Sequence, residues 1–365
     1  MNIHDTASWQ RPLAVGLSYE FLYKKEFMAI IKNRVCFLVF FLFFINCNFP
    51  GDTDTKNNAR PLPKYELVSN WPQLPEGYNL SQVTGVGIDS KQNVFFIHRT
   101  GRQWTDPFPD SLISAPTVLN VDGATGKILH SWGAHLFIMP HGLTVDKHNN
   151  VWITDVALHQ VFKFSYDGTL LLKLGVAKNW GHDSLHFNLP TDVAVANDGS
   201  FYVSDGYGNS RVIKFSKEGK YLFEWGKKGN KPGEFNTPHG IDLDSHGNVY
   251  VADRENNRIQ KFDANGKFLK EWKNNTAIQL YSLSTDKKDN NVFAIDYLTI
   301  NDTLIKGSDI LQFDSTLNLL ARFGRTGSYN GPVCRYHDIA IDNEGSIYVG
   351  DILGNRIQKF RRVLQ

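Results

Sequence analysis

Three histidines occupy equivalent places in a phrase that recurs along the sequence. The phrase reads PHGLTVD from residue 140, PHGIDLD from residue 238 and YHDIAID from residue 336, so His141, His239 and His337 each stand second in it. Another copy, PTDVAVA from residue 190, carries Thr191 in that place. Imidazole is a common ligand of zinc and other transition metals. A histidine kept in some copies and replaced in others is therefore a candidate for chemistry.

Each copy of the phrase opens a unit of short strands. Runs rich in Val, Ile, Tyr and Phe, such as VWITD and RIQKF, alternate with turn residues, and a further run such as LLLKLG or KYLFEWG follows. This pattern is typical of an antiparallel meander of four strands. Two less regular copies, from Val83 and around Tyr281, bring the number to six. Six four-stranded units of roughly 50 residues predict an all-β, six-bladed β-propeller of NHL-type repeats over residues 65–365.

The order of the residues in the histidine position is informative. From the first unit to the sixth they are Thr84, His141, Thr191, His239, Tyr281 and His337. In a closed six-bladed ring, alternate blades are related by rotations of about 120°, and this position opens the innermost strand, beside the channel. Three imidazoles would then meet on the axis and leave a fourth position open, as in a catalytic zinc centre. Copper, iron and nickel suit the same ligands, and a turn-bonding histidine is the alternative for each residue.

Two arginines stand at matching places in opposite blades. Arg254 follows Asp253, and Arg99 follows His98 at the aligned place in the first unit. Paired guanidinium groups beside a metal are suited to clamp a carboxylate; ordinary surface ion pairs are the alternative. The aspartates that recur at this turn, including Asp253, are expected to be structural because every regular copy has one.

The third unit has one extra residue at this turn, in DGYGNSR, where Tyr207 stands between two glycines. A phenol near a metal and an arginine can have its pKa lowered enough to act as a general base. A tyrosine that only packs is the alternative.

With these residues identified, the sequence resembles a known family. The segments TDVALHQVFKF, SDGYGNSRVIKFS and VYVADRENNRIQKF are similar to the NHL-repeat propeller of the peptidyl-α-hydroxyglycine α-amidating lyases, from about Val83 to the C-terminus. The resemblance implies cleavage of the N–Cα bond of a C-terminal α-hydroxyglycine, which gives a peptide amide and glyoxylate. The substrate would be a small peptide or an acyl-hydroxyglycine.

The resemblance also implies a role for each matching residue. His141, His239 and His337 would bind Zn²⁺ and Tyr207 would be the base. Arg99 would act beside Tyr207, and Arg254 would help to bind the substrate carboxylate. A structural Ca²⁺ deeper in the channel would be held by Asp338 and by the carbonyls of Val86 and Leu143, in keeping with the preference of calcium for oxygen. The calcium site follows from the resemblance alone.

Other functions stay open on the sequence. The same site could cleave a related hemiaminal, such as a ureido- or acyl-hydroxyglycolate, or hydrolyse an ester or lactone with a metal. A propeller that binds a peptide or glycan without catalysis is a third possibility, although it has no need of alternating histidines. The net charge of +2 and the lack of a Lys/Arg stripe argue against a nucleic-acid partner. A closed propeller has no edge that demands a partner, so we expect a monomer.

The N-terminal part predicts export. An apolar run from Val35 to Ile45 follows Lys32 and Arg34, which is typical of a signal peptide that starts at Met28. Cys47 ends the run and could carry a lipid, which would make a periplasmic or cell-surface lipoprotein; otherwise the chain is secreted. Residues 1–27 would be an extension or a misassigned start, 28–47 the signal and 48–64 a linker. A retained signal-anchor helix is the alternative.

Overall fold

Six antiparallel sheets follow one another around a central channel in the computed structural model, which describes residues 63–300, 304–325 and 333–363. The first strands are β1 Lys64–Leu67, β2 Val83–Ile88, β3 Val94–His98, β4 Val118–Val121, β5 Ile128–Trp132, β6 Pro140–Val145, β7 Val151–Asp155, β8 Gln160–Phe164 and β9 Leu170–Leu174. The next are β10 Asp192–Val195, β11 Phe201–Asp205, β12 Arg211–Phe215, β13 Tyr221–Trp225, β14 Pro238–Leu243, β15 Val249–Asp253, β16 Arg258–Phe262 and β17 Phe268–Lys273. The last are β18 Gln279–Thr285, β19 Val292–Ile300, β20 Leu304–Gly307, β21 Asp309–Phe313, β22 Leu319–Gly324, β23 Tyr336–Ile341, β24 Ile347–Asp351 and β25 Arg356–Val363. A short 3-10 turn covers Arg254–Asn256.

The sheets are the blades that the repeats predict. Blades one to four are β2–β5, β6–β9, β10–β13 and β14–β17, blade five is β18, β19, β21 and β22 with β20 beside β19, and blade six is built on β23–β25. The innermost strands β2, β6, β10, β14, β18 and β23 contact one another in that order, and β23 contacts β2. The predicted all-β, six-bladed propeller is therefore confirmed.

Blade six is closed by the other end of the chain. Its fourth, outermost strand is β1, which pairs antiparallel with β25, Lys64 opposite Val363 and Leu67 opposite Phe360. The Tyr65 ring stacks on Phe323 of blade five at 5.1 Å between ring centroids. The sequence pattern predicts that the fourth strand of each blade follows the other three in the chain. It does not predict that β1, from the start of the propeller, is the fourth strand of blade six, because β1 is far in sequence from β23–β25.

The inner strands begin with a β-bulge. The register of the inner pair shifts across Val83–Gly85, Pro238–Gly240, Leu280–Ser282 and Tyr336–Asp338, and the comparable irregularity in blade two spans Pro140–Leu143. The residue in the histidine position lies within the irregular stretch in each of these blades. A bulge changes the direction in which a side chain leaves its strand. Here the bulges lie where the residues of the histidine position face the channel.

Glycines allow neighbouring inner strands to approach each other at this point. A Cβ on Gly142 would lie 2.5 Å from the carbonyl oxygen of Thr191, and a Cβ on Gly240 would lie 2.6 Å from Oγ of Ser282. Both separations are too short for a side chain. The glycines after His141 and His239 are thus needed for space, and they let consecutive blades come close enough to share hydrogen bonds.

The recurring aspartates hold the connections between blades. Asp205 accepts a hydrogen bond from the main-chain N–H of Asn188 at 2.8 Å, and its other oxygen accepts one from Arg211 Nε at 3.0 Å. Asp253 repeats the arrangement with Asn236 and Arg258. These carboxylates are fully buried, so their hydrogen bonds must be satisfied internally. The predicted structural role agrees with these contacts.

The structure does not describe the N-terminal segments about which the sequence made predictions. These are residues 1–27, the signal at 28–47 with Cys47, and nearly all of the linker at 48–64. Within the part of the chain that is described, no helix has the length and apolar character needed to cross a membrane.

Closure by β1 generates a stability prediction. Tyr65→Ala removes the ring that packs on Phe323 and Phe293, and we expect it to lower the free energy of unfolding by about 2 kcal/mol, less than a fully buried aromatic because Tyr65 is half-buried. Glu66→Ala is the matched control, since the side chain is exposed and its ion pair with Arg361 is surface-exposed; it should change stability by less than about 0.5 kcal/mol. Urea denaturation measures both, and equal effects would contradict closure through β1.

Candidate active site

Three imidazole rings form a nearly equilateral triangle at one end of the channel. The ring centroids are 4.7 Å apart for His141 and His239, 4.6 Å for His141 and His337, and 4.9 Å for His239 and His337. One ligand nitrogen from each ring lies within 4.8 Å of the others, and all three side chains are buried. The structure thus brings the three predicted histidines together at one point.

The outer nitrogen of each ring is bonded to the next blade. Nδ1 of His141 lies 2.8 Å from the Thr191 carbonyl oxygen, Nδ1 of His239 lies 2.8 Å from that of Tyr281, and Nδ1 of His337 lies 2.8 Å from that of Thr84. A carbonyl only accepts, so each Nδ1 carries the proton and donates it. Each Nε2 is left with a free lone pair, which is how protein structures fix a metal-binding tautomer.

The protonation state also favours metal binding. Burial holds the pKa of all three histidines well below the usual value, and Arg99 and Arg254 lower the pKa of His141 further through their positive charge. The rings are therefore neutral near neutral pH, which is the form that binds a metal ion.

The odd blades fill the gaps between the histidines. Blade one contributes Arg99, blade three Tyr207 and blade five Tyr281. The Tyr207 ring lies 5.2 Å from that of His141 and 5.5 Å from that of His239, and the Tyr281 ring lies 5.1 Å from that of His239. The alternation seen in the sequence thus becomes a ring of three imidazoles interleaved with other functional side chains.

Tyr207 touches both the histidines and an arginine. Its hydroxyl oxygen lies 3.0 Å from Nε2 of His141 and 3.1 Å from Nε2 of His239, and it accepts a hydrogen bond from Arg254 Nη1 at 3.1 Å. The chain can turn here because Gly206 lies against the Pro238 carbonyl, where a Cβ would be only 2.0 Å from the oxygen. Burial raises the pKa of Tyr207, while Arg254 and Arg99 lower it by a smaller amount.

Arg99 is buried beside the histidines with spare hydrogen-bonding capacity. Nε donates to the Pro140 carbonyl at 3.2 Å and Nη1 to the Gln82 side chain at 2.8 Å, but Nη2 has no partner among the described residues. Burial lowers the pKa of Arg99 to about 10, so the group stays charged at neutral pH. Its guanidinium carbon lies 5.5 Å from the Trp104 ring. An unpartnered buried guanidinium nitrogen is suited to an anionic ligand.

Arg254 has a different environment. Its Nη2 lies 2.8 Å from Glu255 Oε1, and its guanidinium lies over the rings of Tyr207 at 4.9 Å and Tyr281 at 5.2 Å. Burial lowers its pKa, but Tyr207, Tyr281 and Glu255 raise it more, so the group stays charged. The two predicted arginines therefore both lie at the histidine site, one with a carboxylate partner and one without.

Sequence reasoning missed three side chains at this end of the channel. Tyr281 was aligned with the histidine position but given no role, although its ring lies between His239 and His337. Arg335 donates from Nε to the Tyr281 hydroxyl at 3.0 Å. Trp104, on the connection between β3 and β4, has its ring 5.1 Å from that of Tyr207. The sequence carries a signal for Arg335: the residues two places before His141 and His239 are uncharged, whereas the residue two places before His337 is an arginine.

The residues expected to hold calcium lie further along the channel. A cavity of about 730 Å³ opens toward the other end and is lined by Val86, Leu143 and Asp338 together with Asp192 and Asp242. Asp338 accepts hydrogen bonds from the Val86 N–H and from Ser282 Oγ, both at 2.8 Å. Burial raises the pKa of Asp338 to about 7, and burial and the Asp338 charge raise that of Asp192.

Comparisons with known proteins agree with this architecture. The NHL repeat family model matches residues 137–164, 187–215 and 235–262. The chain is 38% identical over 324 residues to the peptidyl-glycine alpha-amidating monooxygenase of Mus musculus. The aligned region covers 81% of this chain and 32% of the mouse protein. It is 39% identical over 213 residues to peptidyl-alpha-hydroxyglycine alpha-amidating lyase 2 of Drosophila melanogaster. This alignment covers 54% of this chain and 51% of the fly protein. The chain thus spans about a third to a half of these relatives.

Solved structures share the fold at low identity. A virginiamycin B lyase from Staphylococcus aureus matches with a TM-score of 0.52 and 16% identity, over 82% of this chain and 87% of that one. A gluconolactonase from Xanthomonas campestris matches with a TM-score of 0.55 and 12% identity, over 82% and 90%. These likenesses support the propeller fold only.

The repeats, the six blades and these relatives agree: the chain is an NHL-repeat propeller, and its homologues at 37–41% identity include proteins named peptidyl-alpha-hydroxyglycine alpha-amidating lyase.

Proposed function

We propose that this chain is a zinc-dependent lyase that cleaves the N–Cα bond of a C-terminal peptidyl-α-hydroxyglycine and releases a peptide amide and glyoxylate. The observation that carries the proposal is the set of three neutral imidazoles whose Nδ1 atoms are all engaged by the next blade. The names of the related lyases support the reaction. We place the protein outside the cytoplasm, as an exported monomer, on the strength of its N-terminal sequence and its closed ring.

The donor set fits zinc. His141, His239 and His337 would hold the ion through Nε2, and three nitrogen ligands with an open fourth position are typical of catalytic zinc. When bound, zinc would supply Lewis-acid polarisation of the substrate hydroxyl and lower its pKa.

The side chains around the histidines fit the remaining chemistry. Burial keeps Tyr207 protonated among the protein's own groups, and the positive charge of a bound zinc ion would lower its pKa; the phenolate oxygen would then take the proton of the substrate hydroxyl. The C–O bond becomes a carbonyl as the N–Cα bond breaks, and the leaving amide nitrogen takes a proton, which Tyr207 can return. No oxidant or reductant is needed. Arg254 donates to the Tyr207 oxygen at 3.1 Å and so favours its ionised form.

The arginines account for substrate orientation. The α-hydroxyglycine carries a carboxylate next to the bond that breaks, and Arg99 offers it an Nη2 that has no protein partner in the described structure. A guanidinium–carboxylate contact holds the substrate in one orientation, which is a large part of the rate gain in such reactions.

Glyoxylate release tests the proposed reaction. Purified residues 63–365 should release glyoxylate from an N-acylated α-hydroxyglycine, lose the activity with a chelator and regain it with Zn²⁺. His239→Ala should lose both zinc and activity. Tyr207→Phe is the matched variant: it should keep bound zinc, measured by elemental analysis, and lose about 10²–10⁴-fold in kcat because the proton acceptor is gone.

Three results would argue against this proposal. Full activity in Tyr207→Phe would remove Tyr207 as the base. A folded, zinc-loaded protein that releases no glyoxylate would show that the substrate is a different one, and ureido-hydroxyglycolates and simple esters would be assayed next. Protein that binds no transition metal would favour a binding propeller.

We also propose that Asp338 and the carbonyls of Val86 and Leu143 bind a structural Ca²⁺. The support is the position of these residues along one cavity and the presence there of a second buried carboxylate, Asp192. A bound cation would favour the ionised form of both acids, whose pKa values are raised by burial. Oxygen ligands of this kind suit calcium.

Thermal unfolding tests the calcium site. At a Ca²⁺ concentration about 100 times its Kd, binding should stabilise the folded chain by about 2.7 kcal/mol and raise Tm by about 5 °C. Mg²⁺ at the same concentration is the control, since its octahedral preference does not suit a site made mainly of main-chain carbonyls. Asp338→Asn should abolish the Ca²⁺ effect, and an unchanged rise of Tm in that variant would rule out Asp338 as a ligand.

A further inference from the structure

A third guanidinium group lies at the histidine end of the channel. Arg335 stands two residues before His337, and its main-chain N–H is anchored by Asp351 Oδ1 at 2.9 Å. Its guanidinium carbon lies 4.6 Å from the centre of the Tyr297 ring and 5.4 Å from that of Tyr281. Since the Tyr281 ring itself contacts His239 and His337, Arg335 is one aromatic ring away from the histidine centre.

Among the described residues, no carboxylate pairs with the Arg335 guanidinium. Its guanidinium donates to the Tyr281 hydroxyl, a neutral acceptor, and it forms no ion pair with any described residue. The Tyr281 hydroxyl leads on to Glu255, whose carboxylate already accepts from Arg254 Nε and from Gln279 Nε2, each at 2.9 Å. Tyr281 donates to Gln279 Oε1 at 3.1 Å and so completes the link between the two arginines.

The count of charges exceeds what the proposed substrate needs. Arg99, Arg254 and Arg335 bring three positive charges to one end of the channel, and Glu255 offsets one of them. The carboxylate of the α-hydroxyglycine offsets a second. With the proposed zinc ion left aside, one guanidinium remains, and Arg335 is the one separated from the histidine centre by the Tyr281 ring.

We propose that Arg335 binds a second carboxylate of the substrate, so that the site selects α-hydroxyglycines whose preceding residue is acidic. This inference rests on the proposed lyase function and adds a substrate class to it. Arg335 has the fork geometry that pairs with a carboxylate, and its contact with the Tyr297 ring and its hydrogen bond to the Tyr281 hydroxyl hold the guanidinium in place. The linked chain through Gln279 and Glu255 keeps Arg254 and Arg335 at a fixed separation.

The preference can be measured on two isosteric substrates. For N-acetyl-Glu-α-hydroxyglycine we expect kcat/KM about tenfold higher than for N-acetyl-Gln-α-hydroxyglycine, as for a charge-assisted hydrogen bond that is partly exposed to solvent. Arg335→Gln should reduce the ratio to within about twofold, because kcat/KM falls more for the Glu substrate than for the Gln substrate. Arg361→Gln, on the outer part of blade six, is the matched control because it removes the same charge from an exposed position; it should keep the preference.

Binding of inert analogues separates this inference from the proposed reaction. N-acetyl-Glu-Gly and N-acetyl-Gln-Gly lack the hydroxyl and cannot be cleaved, so calorimetry reports affinity without turnover. The Glu analogue should bind about tenfold tighter to the unaltered protein and equally to Arg335→Gln. If the protein binds the Glu analogue more tightly than the Gln analogue but cleaves no hydroxyglycine, the proposed reaction is wrong and the proposed binding of an acidic residue by Arg335 is supported.

Two outcomes overturn the inference. Equal kcat/KM and equal affinity for the Glu and Gln compounds in the unaltered protein would show that Arg335 does not select an acid. A loss of the same size for both substrates in Arg335→Gln, with an unchanged melting temperature, would make Arg335 a residue that positions Tyr281.

Discussion

The hydrogen bond from each histidine Nδ1 to a carbonyl of the following blade is the contact on which the site depends. It fixes the ring orientation and directs the free lone pair of Nε2 toward the axis. The acceptor is always the residue at the equivalent position of an odd blade, Thr191, Tyr281 or Thr84. The alternation therefore has a structural cause as well as a chemical one: the even blades supply the rings and the odd blades supply the carbonyls that hold them.

This contact requires the blades to be close and the ring to be closed. Gly142 and Gly240 give the inner strands room to approach, and the buried aspartates secure the connections that lead into them. His337 and Thr84 come from opposite ends of the propeller sequence, and their hydrogen bond spans the join between blades six and one. The strand β1 completes blade six, which also carries His337, so the closure of the fold and the histidine site depend on the same blade.

Much of the fold and of the histidine site could be predicted from the sequence, because residues at the same position of different repeats take equivalent places in the blades. The six units, the inner-strand location of His141, His239 and His337, and the proximity of Tyr207, Arg99 and Arg254 all follow from aligning one copy with another. The features that the sequence did not show are those outside the repeat. The role of β1 depends on closure between chain ends, the bulge depends on backbone register, and Arg335 and Trp104 lie on connections whose course the strand pattern does not fix. The pKa of Tyr207 also differs from the expectation: among the protein's own groups, burial outweighs the two arginines and raises it.

The most direct test of the account is X-ray absorption at the zinc edge of the purified, zinc-loaded protein. Three locked imidazoles predict three nitrogen neighbours at about 2.0–2.1 Å with the outer-shell signals of histidine rings, and a fourth light atom from solvent. The fit should lose one imidazole or the zinc altogether in His141→Ala. A spectrum with sulfur neighbours at about 2.3 Å, or with no imidazole signals, would contradict the central claim that alternate blades build a three-histidine metal centre.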